Sequence, residues 1–188
     1  MDYYDDPKNV EDYIRMCQGY DGSELYAELA KLLPEQSRLL ELGSGGGSDL
    51  GHLSNHYQVT GSDLSDAFLD HCRAAFPHLS FLKLNATQLD LNERYECIFS
   101  NKVLHHLSQT QLQHSLQQQS KILDSKGLIA HSFWLGDEDQ HMHGMLFSYY
   151  KIEQLRAVIS ENFEILSVWK YSEFERDDSA FIIARKKA

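Results

Sequence analysis

Short apolar runs alternate with amphipathic segments over most of this chain, and no other feature limits its fold as strongly. Residues 38–43 (RLLELG) read as a buried strand and residues 46–57 as a helix. Residues 58–64 read as a second strand ending in an acidic turn. Residues 65–77 read as a helix capped by Ser65 and stopped before Pro77. Strands follow at 79–85 and 95–101, then an amphipathic helix at 108–127 with Gly127 as its stop, a strand at 127–135 and a helix at 148–162. Strands that alternate with helices pair in parallel through right-handed crossovers, which gives a doubly wound α/β sheet. The last two strands, 163–171 and 180–187, are separated only by the polar segment 172–178, so they form an antiparallel hairpin. The expectation is a mostly parallel sheet with one antiparallel strand near its C-terminal edge.

Residues 1–34 stand outside this alternation. Val10, Tyr13, Ile14 and Cys17, then Leu25, Leu29, Leu32 and Leu33, fall at helical spacing, with a break at 19–23. Ser23 is placed to cap the second helix and Pro34 to end it. The 188 residues suffice for one domain with a sizeable core, and neither a repeat nor a second domain is apparent.

The formal net charge of −11 disfavours a nucleic-acid partner, because an acidic surface repels phosphate. No apolar run approaches the roughly 20 residues that span a bilayer, and the acidic start MDYYDDPKNV does not read as a secretory signal. Three widely spaced cysteines, Cys17, Cys72 and Cys97, fit reduced thiols in a cytoplasmic protein, with no disulfide frame and no zinc pattern.

The first strand runs into Gly43-Ser44-Gly45-Gly46-Gly47, four of the chain's eleven glycines. At the exit of a strand in an open α/β sheet, glycines let backbone N–H groups approach a ligand. A dinucleotide fold wants a third glycine or alanine where Ser48 stands, and its pyrophosphate is repelled by a carboxylate such as Glu41. A zwitterionic ligand with a sulfonium has a cationic end that Glu41 favours.

Glu41-x-Gly43-x-Gly45-x-Gly47 resembles the first motif of the class I S-adenosylmethionine-dependent methyltransferases, in particular the small single-domain proteins of types 11 and 12. The likeness extends over most of the chain. Asp63 in GSDLS stands where that family's acidic residue accepts from the ribose hydroxyls. LKLNATQLDL resembles the third motif, with Asn85 in place of the usual acid. YECIFSNKVLHHL resembles the fourth, with Glu96 where aspartate is usual. The resemblance implies a Rossmann-like, seven-stranded sheet whose seventh strand is antiparallel and inserts between the fifth and sixth. It implies S-adenosyl-L-methionine as cofactor and S-adenosyl-L-homocysteine as product. The cofactor-binding residues it points to are Tyr20, Glu41, Gly43, Ser44, Gly45, Gly47, Asp63, Leu64, Asn85, Ala86, Thr87, Ser100 and Asn101. On this reading residues 1–34 are a helical lid, with Tyr3, Tyr4, Tyr13 and above all Tyr20 over the cofactor, and residues 35–188 are the core of a single methyltransferase domain.

Methyl transfer is an in-line displacement that asks for alignment and exclusion of water, and for a base only where the acceptor loses a proton. His105 and His106, after the fourth strand, are the candidate bases. His131, Trp134, His141, His143, Tyr149 and Tyr150 are the candidates for the acceptor pocket. His141-x-His143 beside Asp137, Glu138 and Asp139 reads as a solvated acidic loop, so no metal is expected. The compact core points to a small-molecule acceptor at O, N or C, on a monomer or homodimer. An RNA-modifying enzyme, a non-catalytic cofactor-binding partner and a dinucleotide oxidoreductase are the alternatives.

Overall fold

Runs of consecutive buried residues need cover on both faces, and the central strands of this protein have it. The computed structural model describes residues 3–187. Strand β1 (Arg38–Leu42) buries four residues in succession. Beside it lie β2 (Gln58–Asp63) and β4 (Tyr95–Asn101), both parallel to it. Strand β3 (Ser80–Lys83) pairs with β2, and β5 (Leu123–Trp134) with β4, also in parallel. Strand β9 (Ser179–Lys186) is antiparallel to both β5 and β8 (Phe163–Tyr171). The order β3-β2-β1-β4-β5-β9-β8 is the expected seven-stranded, mostly parallel sheet, with the last strand inserted beside β5.

Successive side chains of a strand point to opposite faces, and the two cores sort accordingly. Leu40, Leu42, Ile98 and Ile182 pack on one side under α5 (Gln109–Ile122) and α6 (Ile152–Ile159). Leu39, Cys97, Phe99 and Phe181 pack on the other under α2 (Ser23–Ala30), α3 (Leu50–His56) and Cys72 of α4 (Asp66–Ala75). Helix α1 (Pro7–Met16) crosses the glycine loop: Ile14 Cγ1 lies 2.9 Å from where a Cβ on Gly46 would stand.

Several boundaries differ from the sequence reading, and α2 already ends at Ala30, short of Pro34. The helix expected to run to Gly127 ends at Ile122, and β5 starts at once with Leu123, paired with Tyr95 and fully buried. Arg94 donates to the carbonyls of Lys121 and Leu123, which satisfies the helix end early. Helix α3 starts at Leu50 rather than 46, because Gly43, Gly45 and Gly47 all take positive φ. Ser23 is the first helical residue rather than the cap; its N–H bonds Asp21 Oδ1, and Gly22 holds the cap position. The expected helical start at Ser148 is extended chain, and Tyr150 bridges Leu135.

The segment read as an acidic loop also carries a hairpin. Strands β6 (Gln140–Met142) and β7 (Met145–Phe147) pair antiparallel around His143 and Gly144, both at positive φ, the geometry of a type I′ turn.

Candidate active site

A cavity of about 500 Å³ opens at the C-terminal ends of β1, β2 and β4, where open α/β sheets hold their ligands. Gly43 and Gly45 form part of one wall. A Cβ on Gly43 would come within 2.6 Å of both Val103 methyls, so the loop after β4 packs directly on glycine. Asp63, at the end of β2, lines the cavity and is fixed by backbone donors. Its Oδ2 accepts from Gly45 N–H and its Oδ1 from Ser65 N–H, each at 2.9 Å. Burial raises its pKa against the opposing pull of those N–H groups. Each carboxylate oxygen keeps further acceptor capacity.

Glu41 and Ser44 sit behind the glycine loop. Glu41 is 1% exposed and accepts from Ser44 Oγ at 2.9 Å, and Ser44 Oγ in turn accepts from Ser62 N–H. Burial, then the charge of Asp49, holds the Glu41 carboxyl well above the usual range. Asp49 received no role from the sequence. It is nearly buried, accepts from Tyr26 Oη at 2.7 Å and Asn101 Nδ2 at 3.1 Å, and is pushed up to about 6 by burial. Asn101 Nδ2 also donates to Tyr20 Oη at 2.7 Å. Glu41, Asp49, Asn101 and Tyr20 thus gather beyond β1 and β4, behind the cavity wall.

Leu64, Asn85, Ala86 and Thr87 line the opposite end. The Asn85 carbonyl oxygen accepts from Thr87 N–H and Oγ1, at 2.9 and 2.8 Å, and so shapes its own turn. The Ala86 carbonyl accepts from Ser115 Oγ at 2.6 Å. Gln119 Nε2 donates to Ser115, and Gln119 Oε1 faces His131 Nε2 at 2.8 Å. Ser100 Oγ faces His131 Nδ1 at 2.9 Å. The glutamine oxygen only accepts, so His131 donates from Nε2 and accepts from Ser100 at Nδ1. Burial pushes His131 down to about 3, so the ring is neutral. Ser100 and His131 are both fully buried, and they brace the Ala86 turn from inside the core.

The expected acceptor cluster is dispersed. His131 belongs to that brace, and Tyr150 packs on Phe133 in the core. Trp134 lies 3.1 Å under Lys102 Nζ, and His143 stacks on Tyr3 at the hairpin tip. Lys102 adopts φ +54°. Its amine meets Ser179 at 2.7 Å and Glu173 at 3.2 Å, and burial pushes it down to about 8. No sequence signal marked Lys102 or Asp49, because strain and burial arise only from tertiary packing.

The two tandem histidines part. His106 lines the cavity and donates from Nδ1 to Leu146 O at 2.8 Å, which leaves Nε2 as an acceptor. Burial lowers its pKa. His105 lies behind it, 3% exposed. Tyr3, Tyr4 and Tyr13 line the cavity, while Tyr20 stays on Asn101. Among the described residues, no group of three or more His, Cys, Asp or Glu side chains is arranged to hold a metal ion.

Residues 39–127 match the family described as methyltransferase domain. The match spans a little under half of the chain, and that stretch is similar in sequence to the methyltransferase family. No curated protein matches the chain by sequence. Among solved structures, the N-methyltransferase NodS from Bradyrhizobium japonicum, crystallised with S-adenosyl-L-homocysteine, superposes with a TM-score of 0.78 at 14% identity, over 100% of both chains. A TehB-like SAM-dependent methyltransferase from Corynebacterium glutamicum gives 0.78 at 17% identity, over 97% of this chain and 100% of the other. The 1,6-didemethyltoxoflavin-N1-methyltransferase of Burkholderia thailandensis gives 0.73 at 18%, over 88% and 76%. At these identities the likeness is one of fold. The sheet extends beyond the matched residues into β9 and β8.

Proposed function

We propose that this protein transfers a methyl group from S-adenosyl-L-methionine to O, N or C of a small-molecule acceptor. The observation that carries the reading is the sign of the site. Asp63 lines the cavity and Asp49 stands behind the glycine loop, and the ammonium of Lys102 is already paired with Glu173. Such a site repels a pyrophosphate and favours a sulfonium and an ammonium. The cofactor, when bound, supplies a methyl group already activated on a sulfonium.

The chain's own residues then have to bind, orient and exclude water. Asp63 is suited to accept both ribose hydroxyls, with Leu64 beside it. Asn85, Ala86 and Thr87 fit the adenine end. The oxygen of Asn85 serves Thr87, so adenine contacts fall to its N–H groups and to the backbone of Ala86 and Thr87. Gly43 and Gly45 allow close approach of the amino-acid tail, and Gly47 the turn behind it. Glu41, Ser44, Asn101 and Tyr20 support the ammonium end, with Asp49 added to them, while Ser100 braces the Ala86 turn through His131. His106 offers a neutral lone pair to an acceptor that has a proton to lose, with His105 behind it. Residues 1–34, through Tyr3, Tyr4 and Tyr13, act as the lid on a core of residues 35–188. The three unpaired cysteines suit a reducing compartment such as the cytoplasm, and the net charge of −11 argues against RNA as the acceptor.

Calorimetric titration tests the reading. S-adenosyl-L-homocysteine and S-adenosyl-L-methionine are expected to bind and NAD not to bind. Binding of NAD with no response to the other two overturns it.

A further inference from the structure

Buried imidazole nitrogens almost always find partners, because each carries either a donor or a lone pair that water would otherwise satisfy. His105 is an exception. It is 3% exposed, and neither Nδ1 nor Nε2 meets a hydrogen-bond partner. Its ring forms a three-ring cluster with His106, at 4.1 Å, and Phe147, stacked at 5.3 Å and 26°, and those two rings meet each other edge-on at 4.7 Å. Its carbonyl accepts from Ser148 N–H at 2.7 Å, so the backbone there is fixed while the ring stays unmatched.

Chain neighbours of this ring line the cavity. Val103 and His106 line the cavity on the chain side of His105, and Met145 and Leu146, just before Phe147, line it on the hairpin side. The β6–β7 hairpin that carries Phe147 is short and mostly exposed. It is tied down by the bond from His106 Nδ1 to Leu146 O and by the stack of His143 on Tyr3. The other buried side-chain atoms without a hydrogen-bond partner among the described residues are Tyr171 Oη and Glu173 Oε1. Both lie about Lys102 Nζ, which stands 5.3 Å from the Tyr171 ring centroid and 3.2 Å from Glu173 Oε1 as an ion pair. Tyr171 and Glu173 therefore gather at Lys102, three residues before His105 in the chain.

We propose that His105 is the acceptor-binding residue of a subsite that opens beneath the β6–β7 hairpin, and that it takes an uncharged planar molecule with an N–H or O–H. The proposal rests on the methyltransferase reading and names the acceptor class for that site. The planar shape follows from Phe147, whose ring fills a slot parallel to the imidazole. The absence of charge follows from the surroundings. His105 is held neutral by burial and by His106 and Lys102, and Lys102 is already paired with Glu173. An acceptor with a donor and a lone pair matches an imidazole that has one of each free. When Phe147 moves aside, such a molecule takes its place against the ring.

The test observes the histidine ring nitrogens by long-range ¹⁵N–¹H NMR, in protein labelled with ¹⁵N-histidine and saturated with S-adenosyl-L-homocysteine. H105Q assigns the His105 signals by their loss. Phenol and 2-pyridone are the uncharged probes; benzoate and benzylamine are the charged ones. The uncharged probes are expected to shift the His105 nitrogens and leave those of His131 unmoved. H105Q is expected to weaken their binding about tenfold, the effect of one lost hydrogen bond. F147A, which opens the slot, is expected to strengthen it. If neither uncharged probe moves the His105 signals in wild type or F147A, or if the charged probes move them equally, the proposal is overturned. Calorimetry with S-adenosyl-L-homocysteine separates the two readings. Normal binding with an unresponsive His105 removes the subsite alone, whereas no binding removes the methyltransferase reading.

Discussion

Asp49 is a carboxylate that folding takes out of water without giving it a cation. Tyr26 and Asn101 donate to it, Tyr20 stands beside Asn101, and Glu41 and Glu173 face it with like charge. Burial raises its pKa from 3.8 to about 6. An acid whose pKa is raised by folding binds its proton more tightly in the native state. Stability therefore falls as pH rises from about 4 to about 6, and the full penalty stands above that window. D49N keeps a hydrogen-bond acceptor for Tyr26 and removes the ionisation. Its stability relative to wild type is expected to rise by about 2 kcal/mol between pH 4 and pH 7. Urea unfolding across that range measures the difference; a constant difference shows that folding does not shift the Asp49 pKa. Asp63 differs, because backbone N–H groups already hold both of its oxygens toward the cavity. D63A is expected to weaken S-adenosyl-L-homocysteine by about 1–3 kcal/mol in calorimetry, and unchanged affinity removes Asp63 from ribose binding. Asp63 and the glycines were legible in the sequence because motif spacing and strand ends determine them. Asp49 and Lys102 were not, since their character comes from burial by distant elements.

At the scale of elements, two pieces close the cavity: the segment around Tyr3 and Tyr4, and the β6–β7 hairpin. Tyr4 O accepts from Ser65 Oγ at 2.7 Å, which moors the first segment to the start of α4. The two pieces meet where Tyr3 stacks on His143, at 4.7 Å. H143N removes the ring and keeps a residue that tolerates positive φ at the turn. A ring stack is worth about 0.5–1.5 kcal/mol. Release of S-adenosyl-L-homocysteine is therefore expected to speed up by roughly two- to tenfold in stopped flow. An unchanged rate means the lid does not close through this contact. The hairpin escaped the sequence reading because its strands have three residues each and present no stretch of alternation. The His143-Gly144 pair was the available signal, two residues that accept positive φ between runs containing Met142, Met145 and Leu146. The early end of α5 was hidden for another reason. Leu123 suits helix or strand equally, and only its pairing with Tyr95 and the Arg94 bond to its carbonyl decide.

At the scale of the whole molecule, the alternation of strands and helices gave the sheet, the crossover sense and the site's place at the strand ends, because those follow from chain connectivity. The terminal hairpin was likewise legible, since only a short polar link separates β8 from β9. What connectivity leaves open is the electrostatic field. The chain carries a formal charge of −11; Asp63 lines the cavity and Asp49 stands behind its wall. S-adenosyl-L-methionine carries one positive charge more than S-adenosyl-L-homocysteine. The acidic field therefore favours the substrate form over the product form, and it does so through charges that salt screens. Raising the ionic strength from 0.01 M to 1 M shortens the Debye length from about 30 Å to about 3 Å. The affinity of S-adenosyl-L-methionine relative to S-adenosyl-L-homocysteine is expected to fall over that range. The fall should be smaller in D49N, which removes one of the charges responsible. Paired calorimetric titrations at both salt concentrations decide the point. A ratio that does not change with salt shows that contact alone discriminates the two ligands, and that the acidic character of the chain serves solubility rather than the choice between substrate and product.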